Sequence, residues 1–195
     1  MIIVLLGATG AGKSLIEKEL VENHGFSNII SFTTRQPRDY EINGRDYYFI
    51  EDEQFREMLK DEYFAEHAEY PQNRLYGTLK TDYTEESLNT NRVVVLTPNG
   101  YRQLQKNIDK KYFFAVLVTA NLGTRMKRYI DRISVEKFDY TDKNELSSRV
   151  ERDFGAFMGV NGDVDLIVDN NEGTDIHKVV GKIIEEVKKT EKVIV

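Results

Sequence analysis

The stretch Gly7-Ala8-Thr9-Gly10-Ala11-Gly12-Lys13-Ser14 decides the fold of this chain, because its flanking sequences show what it joins. The apolar run Ile2 to Leu6 precedes it and has the length of a buried strand. A helical pattern follows, which begins at Gly12 or Lys13 and ends before Gly25. The eight residues match G-x-x-x-x-G-K-[ST], and a strand before and a helix after are the context that confirms this motif. The sequence therefore predicts a phosphate-binding loop.

All eight loop residues are candidates for binding a nucleoside triphosphate, ATP or GTP. Glycine lets backbone N–H groups turn toward phosphate oxygens, and the N-terminus of the following helix adds positive potential. Lys13, a predicted catalytic residue, would bring a point charge to the β- and γ-phosphates, and the Ser14 hydroxyl would ligate Mg²⁺. The alternative is a glycine-rich turn that only connects strand to helix. The predicted ATP site comprises Gly7, Ala8, Thr9, Gly10, Ala11, Gly12, Lys13 and Ser14.

The composition limits the classes of protein to which the chain can belong. It has 195 residues, 40% of them apolar and 31% charged, and a formal net charge of −6, which is typical of one globular domain. The lack of cysteine excludes thiol nucleophiles, iron–sulfur clusters and disulfides, and it favours the cytoplasm. The acidic balance argues against nucleic-acid binding by charge. Ile2 to Leu6 is far shorter than the ~20 residues that cross a bilayer, so neither a membrane span nor secretion is expected.

Four further apolar runs have the length of strands, at 29–31, 93–96, 113–118 and 166–168. Their apolar residues are mostly continuous, as in parallel strands that are covered on both faces. Helical patterns lie between several of them, and the last spans about Ile176 to Lys189. Alternating strands and helices predict an α/β domain with a parallel central sheet. The first helix is predicted to bury Leu15, Ile16, Leu20 and Val21.

Two segments interrupt this alternation. Residues 32–82 contain short aromatic runs such as Tyr47-Tyr48-Phe49-Ile50, which predict a small β-containing insertion. Residues 122–155 are rich in arginine and lysine, and a solvated helical face is the alternative interpretation of this charge. No internal repeat or Pro/Gly/Ser-rich linker separates these segments from the rest, so both are assigned to one domain.

Residues 31–47, SFTTRQPRDYEINGRDY, resemble the segment S-x-T-T-R-x-P-R-x-x-E-x-x-G-x-D-Y of guanylate kinases, which are P-loop nucleoside monophosphate kinases. The resemblance covers nearly the whole chain and is weaker after residue 90. It implies a P-loop NTPase three-layer α/β fold with a parallel central sheet, a small mixed-β insertion that binds the monophosphate, and a helical lid. It also implies a single domain over 1–195, with a core of 1–31, 83–121 and 156–195, the insertion at 32–82 and the lid at 122–155.

Arg35 and Arg38 flank the rigid Pro37 and can converge on one anion, because planar guanidinium groups bind phosphate oxygens through paired hydrogen bonds. Unrelated charges in a surface turn are the alternative. Tyr47 and Tyr76 could add hydroxyl donors, as the matching tyrosines do in guanylate kinases. The resemblance thus implies that Arg35, Arg38, Tyr47 and Tyr76 bind the phosphate of GMP, and that Arg35 is also catalytic.

The resemblance further implies which residues recognise guanine. Ser31 matches a serine whose hydroxyl can donate to O6, and Glu66 matches a glutamate whose carboxylate can accept from N1–H and the exocyclic amino group. Thr78 stands where the family has a serine that supports the base. For Glu66, the alternative is an exposed carboxylate on a helix.

Guanylate kinases usually have L-D-x-D-x-x-G after the third strand, and here this chain departs from them. Val95 and Thr97 replace the two aspartates, of which the first supports the metal region and the second accepts from the guanine amino group. The loss of the second aspartate weakens the expectation of strict guanine selection. Mg²⁺ could still be held by Ser14 and the nucleotide phosphates.

In the lid, Arg132 and Arg149 resemble the two arginines that close over the transferring phosphoryl group, and both are predicted catalytic residues. Arg125 and Arg128 are nearby candidates for the same role. The segment Asp169-Asn170-Asn171 follows the last strand, where the family has a loop that contacts adenine.

Three functions are open at this point. The first is Mg²⁺-dependent transfer of the γ-phosphoryl of ATP to GMP or dGMP, giving GDP or dGDP. The second is the same chemistry on another (deoxy)nucleoside monophosphate, which is considered because Val95 and Thr97 replace the two aspartates of the family. The third is a non-catalytic protein-binding module of the same fold, against which the intact Lys13 and Ser14 argue. The predicted partners are small nucleotides and neither nucleic acid nor membrane, and a homodimer is left open.

Overall fold

Strands and helices alternate along most of the chain in this computed structural model. It describes residues 1–70, 73–133, 140–157 and 159–193, and their side chains except at 132, 133, 140–146, 149, 161 and 191–193. The strands are β1 (Ile2–Leu6), β2 (Ser27–Asn28), β3 (Phe32–Thr33), β4 (Tyr48–Phe49), β5 (Phe64–Tyr70), β6 (Arg74–Leu79), β7 (Arg92–Val95), β8 (Phe113–Thr119) and β9 (Leu166–Asp169). The helices are α1 (Lys13–Asn23), α2 (Asp52–Lys60), α3 (Glu85–Leu88), α4 (Pro98–Leu104), α5 (Leu122–Ile133), α6 (Tyr140–Phe157) and α7 (Ile176–Val193).

The central sheet has the strand order β2-β7-β1-β8-β9, and the neighbouring strands are parallel. Every residue of β1 has 0% exposure, since this strand lies in the middle of the sheet and is covered on both faces. Its continuous apolar sequence is the pattern that such a position requires. The predicted parallel α/β sheet is therefore confirmed.

The two faces of the sheet are covered by different helices. Ile3 and Leu5 of β1 pack with Ile16 of α1 and Ile183 of α7 on one face. Ile2, Val4 and Leu6 of β1 pack on the other face, where Tyr101 of α4 is almost completely buried. Because successive strand residues point to opposite faces, one apolar strand serves both cores and produces three layers.

A second sheet, of order β4-β3-β6-β5, is formed by residues 32–79. It is mixed: β3 pairs parallel with β4 and antiparallel with β6, and β5 pairs antiparallel with β6. Helix α2 covers it, with the ring of Phe55 stacked 4.3 Å from that of Phe64. The predicted small mixed-β unit is present, and α5 and α6 supply the predicted helical segment after β8.

Two expectations about local structure are wrong. Residues 29–31 do not form a strand: Ile29 donates its N–H to the carbonyl of Val93 at 2.9 Å, and the chain then passes to the second sheet. Leu15 is 51% exposed, because the first turn of α1 borders an open cavity and not a packed helix. A helical period identifies an apolar face but not which of its turns has a partner.

Candidate functional site

A cavity of about 700 Å³ lies between the 7–14 loop, the second sheet and α6. It opens at the carboxyl ends of β1 and β7, where ligands bind in open α/β sheets. Of the residues predicted to form the site, those that line the cavity are Gly7, Thr9, Gly10, Gly12, Lys13, Ser14, Ser31, Arg35, Arg38, Tyr47, Glu66 and Tyr76.

The 7–14 loop has the backbone geometry of a phosphate-binding loop. Gly10 and Gly12 have φ angles of 79° and 97°, a region that favours glycine. A Cβ atom at Gly10 would lie 2.7 Å from the carbonyl oxygen of Arg125, so close approach to α5 also requires glycine there. Lys13 extends back along the loop, where its Nζ donates to the carbonyl groups of Gly7 at 2.5 Å and Ala8 at 3.2 Å.

The carbonyl groups on the outer side of the loop are held by α5. Arg125 donates from Nε to the carbonyl oxygen of Thr9 at 2.9 Å, and Arg128 donates from Nη1 to that of Gly10 at 3.2 Å. Sequence reasoning offered these two arginines as candidates for contacting phosphate. In this structure both arginines hold the loop, and their contact with phosphate stays a prediction.

Asn170, at the end of β9, is 1% exposed and donates from Nδ2 to the carbonyl oxygen of Ala11 at 2.9 Å. A Cβ atom at Gly12 would overlap this amide group, so glycine is required for the contact. Sequence reasoning placed Asn170 in an adenine-contacting loop. Its amide also joins the last strand to the phosphate-binding loop, and the adenine contact stays a prediction.

Asp153 of α6 reaches the same loop from the cavity side. Its Oδ2 accepts hydrogen bonds from the backbone N–H of Thr9 at 2.8 Å and from Nη2 of Arg125 at 3.0 Å. The Asp153 carboxylate therefore already binds one of the loop N–H groups that would otherwise be open to a phosphate oxygen. Sequence reasoning missed Asp153, because an acidic residue within a strongly charged helix gives no signal of its own.

Arg152, next to Asp153, extends toward the second sheet. Its guanidinium carbon lies 4.8 Å from the centroid of the Tyr70 ring, and its buried Nε has no hydrogen-bond partner among the described residues. This arginine lines the cavity and was not among the predicted site residues. The predicted catalytic residues Arg132 and Arg149 lie outside the residues whose side chains the structure describes.

Arg35 and Arg38 converge on one carboxylate, that of Glu41. Arg35 donates from Nη1 and Nη2 to the two Glu41 oxygens, both at 2.9 Å, and Arg38 donates from Nη1 to Oε1 at 2.9 Å. Burial, the largest single effect, opposes the charge of Arg35, but the contacts with Glu41 and Tyr76 together outweigh it and raise the pKa of Arg35. Burial likewise opposes ionisation of Glu41, yet the Arg35 contacts lower its pKa. Both groups are therefore held in their charged forms.

Tyr47 and Tyr76 lie beside Arg35. The ring centroids of the two tyrosines are 5.9 Å apart, and the guanidinium carbon of Arg35 lies 5.3 Å from the Tyr47 centroid. Burial raises the pKa of Tyr47, and the neighbouring Tyr76 and Glu17 add to this effect. Tyr47 therefore stays protonated and can donate a hydrogen bond to an anion beside Arg35.

Glu66 lies in β5, so the alternative of an exposed helix carboxylate is wrong. The residue is 4% exposed, and its Oε1 accepts from both the backbone N–H and the hydroxyl of Thr78, at 3.0 Å each. Burial raises the pKa of Glu66 to about 7, although the Thr78 contacts act in the opposite direction. Thr78 itself is fully buried behind Glu66, so it can act on a bound base only through that carboxylate.

The cavity wall beside Glu66 carries the two residues that depart from the family pattern. Val95 and Thr97 line the cavity, and the hydroxyl oxygen of Thr97 caps α4 by accepting from the N–H of Gly100 at 2.9 Å. A Cβ atom at Gly100 would lie within 2.4 Å of Glu66 Oε2. Glycine at 100 therefore makes room for the carboxylate, a requirement that the sequence pattern alone did not reveal.

The described residues contain no group of three or more His, Asp or Glu side chains that could form a metal cage. Ser14 offers a hydroxyl to the cavity at the N-terminus of α1. Mg²⁺ usually takes most of its ligands from substrate phosphates and water. A site with one protein donor, the Ser14 hydroxyl, therefore fits this cation. None of the helices in the described part of the chain combines the length and apolarity needed to cross a bilayer.

The fold and the cavity define a P-loop nucleotide-binding protein in which a second set of arginines and tyrosines shares the space beside the loop. A family model described as guanylate kinase matches residues 1–187, and the chain belongs to the guanylate kinase family.

Curated relatives agree with this assignment. The chain is 33% identical over 178 residues to a guanylate kinase of Prochlorococcus marinus, an alignment that covers 80% of this chain and 95% of that one. It is 44% identical over 136 residues to a guanylate kinase of Bacillus cereus, with coverage of 68% and 65%. The chain therefore spans slightly less than two thirds of the Bacillus relative.

Solved structures support the fold. The guanylate kinase from Anaplasma phagocytophilum matches with a TM-score of 0.70 at 18% identity, over 97% of this chain and 85% of that one. An uncharacterized protein from Eubacterium ventriosum matches with a TM-score of 0.56 at 16% identity, over 96% and 98%.

Proposed function

We propose that this chain transfers the γ-phosphoryl group of ATP to GMP or dGMP, with Mg²⁺, and releases GDP or dGDP. One observation carries the proposal: the phosphate-binding loop and the pocket of Arg35 and Glu66 line the same cavity. Direct transfer requires the attacking oxygen of the acceptor phosphate to lie next to the γ-phosphorus, in line with the leaving oxygen. A shared cavity allows this arrangement, so no covalent intermediate is needed.

On the donor side, the loop amides and Lys13 would bind the β- and γ-phosphates. Lys13 now donates to carbonyl groups of its own loop, and these weak acceptors would yield to a phosphate oxygen. Mg²⁺, held by the Ser14 hydroxyl and the phosphates, would supply positive charge to the transferring group. The Asp153 carboxylate would have to leave the Thr9 amide as the triphosphate enters.

On the acceptor side, Arg35 and Arg38 would bind the monophosphate, assisted by the hydroxyl groups of Tyr47 and Tyr76. The Glu41 carboxylate holds the two guanidinium groups near each other, and each guanidinium has further N–H donors for a phosphate. A GMP phosphate oxygen is already ionised at neutral pH, so it can attack the γ-phosphorus without a general base.

The base would lie between Glu66, Ser31 and Thr97. Glu66 Oε1 is already bonded to Thr78, so Oε2 is the oxygen that remains to accept from N1–H and the amino group of guanine. Adenine would present a bare N1 acceptor to this carboxylate and leave it unpaired, which is a strong basis for rejection.

Thr97 supports a second candidate, the phosphorylation of another nucleoside monophosphate. Its oxygen uses one lone pair to accept from Gly100, so toward the base it can donate or accept one hydrogen bond, but without the charge of an aspartate. A base with a carbonyl group, or nothing, at the position of the guanine amino group would suit it.

The test is an acceptor screen with ATP and Mg²⁺, measuring kcat/KM for GMP, dGMP, IMP, AMP, CMP and UMP. The proposal expects GMP and dGMP to rank first and AMP and the pyrimidine nucleotides to be poor. A preference for IMP, AMP or a pyrimidine nucleotide would overturn the guanylate assignment in favour of the second candidate.

A further inference from the structure

A hydrogen-bonded chain runs from Glu66 away from the cavity and ends at Tyr83. Tyr83 closes the 3-10 turn Lys80–Tyr83 after β6, and its hydroxyl lies 2.9 Å from the hydroxyl of Thr78. The Thr78 hydroxyl in turn lies 3.0 Å from Glu66 Oε1. All three residues are buried, at 7%, 0% and 4% exposure in the order Tyr83, Thr78, Glu66.

The direction of each hydrogen bond follows from the number of protons available. Glu66 Oε1 accepts the backbone N–H of Thr78, so its lone pairs face Thr78 and the Thr78 hydroxyl must donate to it. A hydroxyl has one proton, so Thr78 can only accept from Tyr83, and the Tyr83 hydroxyl is the donor. Burial raises the pKa of Tyr83, which keeps this proton on the phenol.

The turn that carries Tyr83 is anchored independently of the cavity. Arg92 of β7 donates to the carbonyl oxygen of Asp82 at 2.8 Å, and the Asp82 carboxylate accepts from the N–H of Leu79 at 3.1 Å. Tyr83 also packs in the apolar core on that face of the central sheet. The phenol therefore has a fixed position from which to hold Thr78.

We propose that Tyr83 is a positioning residue for recognition of the base, which acts through Thr78 to hold Glu66 Oε1 and so aims Oε2 at the bound nucleotide. The inference rests on the proposed function, because it takes Glu66 as the group that contacts the base. Packing of Glu66 Oε2 against Gly100 limits the carboxylate on its other side, so the two contacts together leave it little rotational freedom.

The experiment is a double-mutant cycle between Tyr83→Phe and Thr78→Val, with KM for GMP and KM for ATP as readouts. Loss of one buried hydrogen bond predicts that Tyr83→Phe raises KM for GMP about fivefold, while KM for ATP is unchanged. In the Thr78→Val background, Tyr83→Phe should add nothing, since the hydroxyl it would hold is gone. In the Thr78→Ser background, which retains the hydroxyl, the fivefold effect should return.

Tyr101→Phe is the matched control, because Tyr101 is also a buried tyrosine and lies outside this chain of hydroxyl groups. It should leave both KM values unchanged. The inference is overturned if Tyr83→Phe leaves KM for GMP unchanged, if it raises KM for GMP and ATP alike, or if its effect adds fully to that of Thr78→Val. It is overturned too if Tyr83→Phe fails to fold where Tyr101→Phe folds, since Tyr83 would then serve the core.

The proposed function fails in a different way from this inference. If wild-type protein does not phosphorylate GMP, the proposed function is wrong, and no variant is needed to show it. If wild-type protein is active on GMP and Tyr83→Phe behaves like wild type, only the inference is wrong.

Discussion

Lys13 presents its charge at the start of α1, beside the loop that would hold the triphosphate. Lys13→Ala removes the charge that would stabilise the transferring phosphoryl group, so turnover should fall by at least about 100-fold. Lys18→Ala is the matched control, because Lys18 is exposed on the same helix and pairs with Glu22 at 3.8 Å. Circular dichroism should show both variants folded. Activity of Lys13→Ala above about a tenth of wild type would contradict the catalytic role, since that corresponds to only ~1.4 kcal/mol of the barrier.

Arg35 uses both terminal nitrogens of its guanidinium on Glu41, which shows that its planar fork is directed at a carboxylate-like anion. Arg35→Lys keeps the charge but loses both the paired contact with Glu41 and the further N–H donors that would bind the phosphate, so KM for GMP should rise by about tenfold or more and KM for ATP should stay constant. Arg45→Lys makes the same change at an exposed ion pair with Asp46 and should have no effect. Equal weakening of both substrates by Arg35→Lys would mean that Arg35 serves the fold.

Thr97 caps α4 and lines the cavity where the base would bind, and an aspartate could fill both roles. Asp is as good an N-cap as Thr, so Thr97→Asp should still accept from Gly100 and leave the melting temperature nearly unchanged. Its second oxygen would face the base and accept from the guanine amino group. The ratio of kcat/KM for GMP over IMP should then rise about tenfold, because only GMP has that amino group. An unchanged ratio would place position 97 outside the base site.

For single residues, the sequence predicted which side chains form the site better than it predicted their contacts. The spacing around Pro37 predicted that Arg35 and Arg38 meet at one anion, and the structure brings them together. It could not predict that Glu41 would be the anion, because an acidic residue three positions away is common in a charged turn. Gly100 and Tyr83 carried no signal, since their importance depends on contacts with β5 and β6 that only folding creates.

Helix α6 contacts both halves of the cavity through two adjacent residues. Asp153 binds the Thr9 amide on the donor side, and Arg152 lies over Tyr70 on the acceptor side. Approach of the helix to the loop is thus stabilised by a carboxylate that a triphosphate would displace. We therefore expect donor binding to be coupled to the position of α6 through competition for this one amide.

Asp153→Asn tests that competition. The amide keeps the shape and an acceptor oxygen but loses the charge that repels phosphate, so KM for ATP should fall about threefold to tenfold, with KM for GMP unchanged. Glu151→Gln, an exposed position on the same helix, makes the same change in net charge and should have no effect. Equal effects of the two variants would indicate a general charge effect, and a higher KM for ATP in Asp153→Asn would show that the carboxylate assists the donor.

Among the elements, long apolar strands were predicted well and short ones were not. The strands β1, β7, β8 and β9 follow apolar runs whose hydrophobicity is local information. The strands β2 and β3 have two residues each, and their pairing is set by the crossover between the two sheets. Their sequence cannot show where one sheet ends and the other begins.

The whole molecule brings distant parts of the chain to one cavity. The 7–14 loop and Thr97 lie together because they follow the parallel strands β1 and β7, whose carboxyl ends are at one edge of the central sheet. The second sheet adds Arg35, Arg38 and Glu66 to the same cavity. One cost of this arrangement is that Glu66 is buried with no basic side chain paired to it among the described residues. Its pKa of about 7 compares with an ordinary value of 4.5, so the folded state disfavours the charged form.

The free energy of unfolding should therefore fall as the pH rises from about 4.5 to about 7. Between about pH 4.5 and pH 7 the unfolded chain loses the Glu66 proton while the folded chain retains it, and above pH 7 the penalty is constant at ~3 kcal/mol. From about pH 5.5 to pH 8 this group alone should lower the free energy of unfolding by about 2 kcal/mol.

Glu66→Gln removes that titration. Its free energy of unfolding, measured by urea denaturation at both pH values, should decline less between them than that of wild type, by about 2 kcal/mol. Glu53→Gln, exposed in the first turn of α2, should retain the wild-type decline. The same Glu66→Gln variant should lose GMP phosphorylation, because the two Thr78 donors would hold the amide oxygen and leave the NH2 group, a donor, facing the N1–H and amino donors of guanine. A gain in stability at pH 8 together with a loss of activity would identify Glu66 as a group retained for binding at the expense of the fold. If Glu66→Gln and wild type decline equally, the carboxylate is already charged in the folded protein below pH 5.5, and the burial argument for its pKa is wrong.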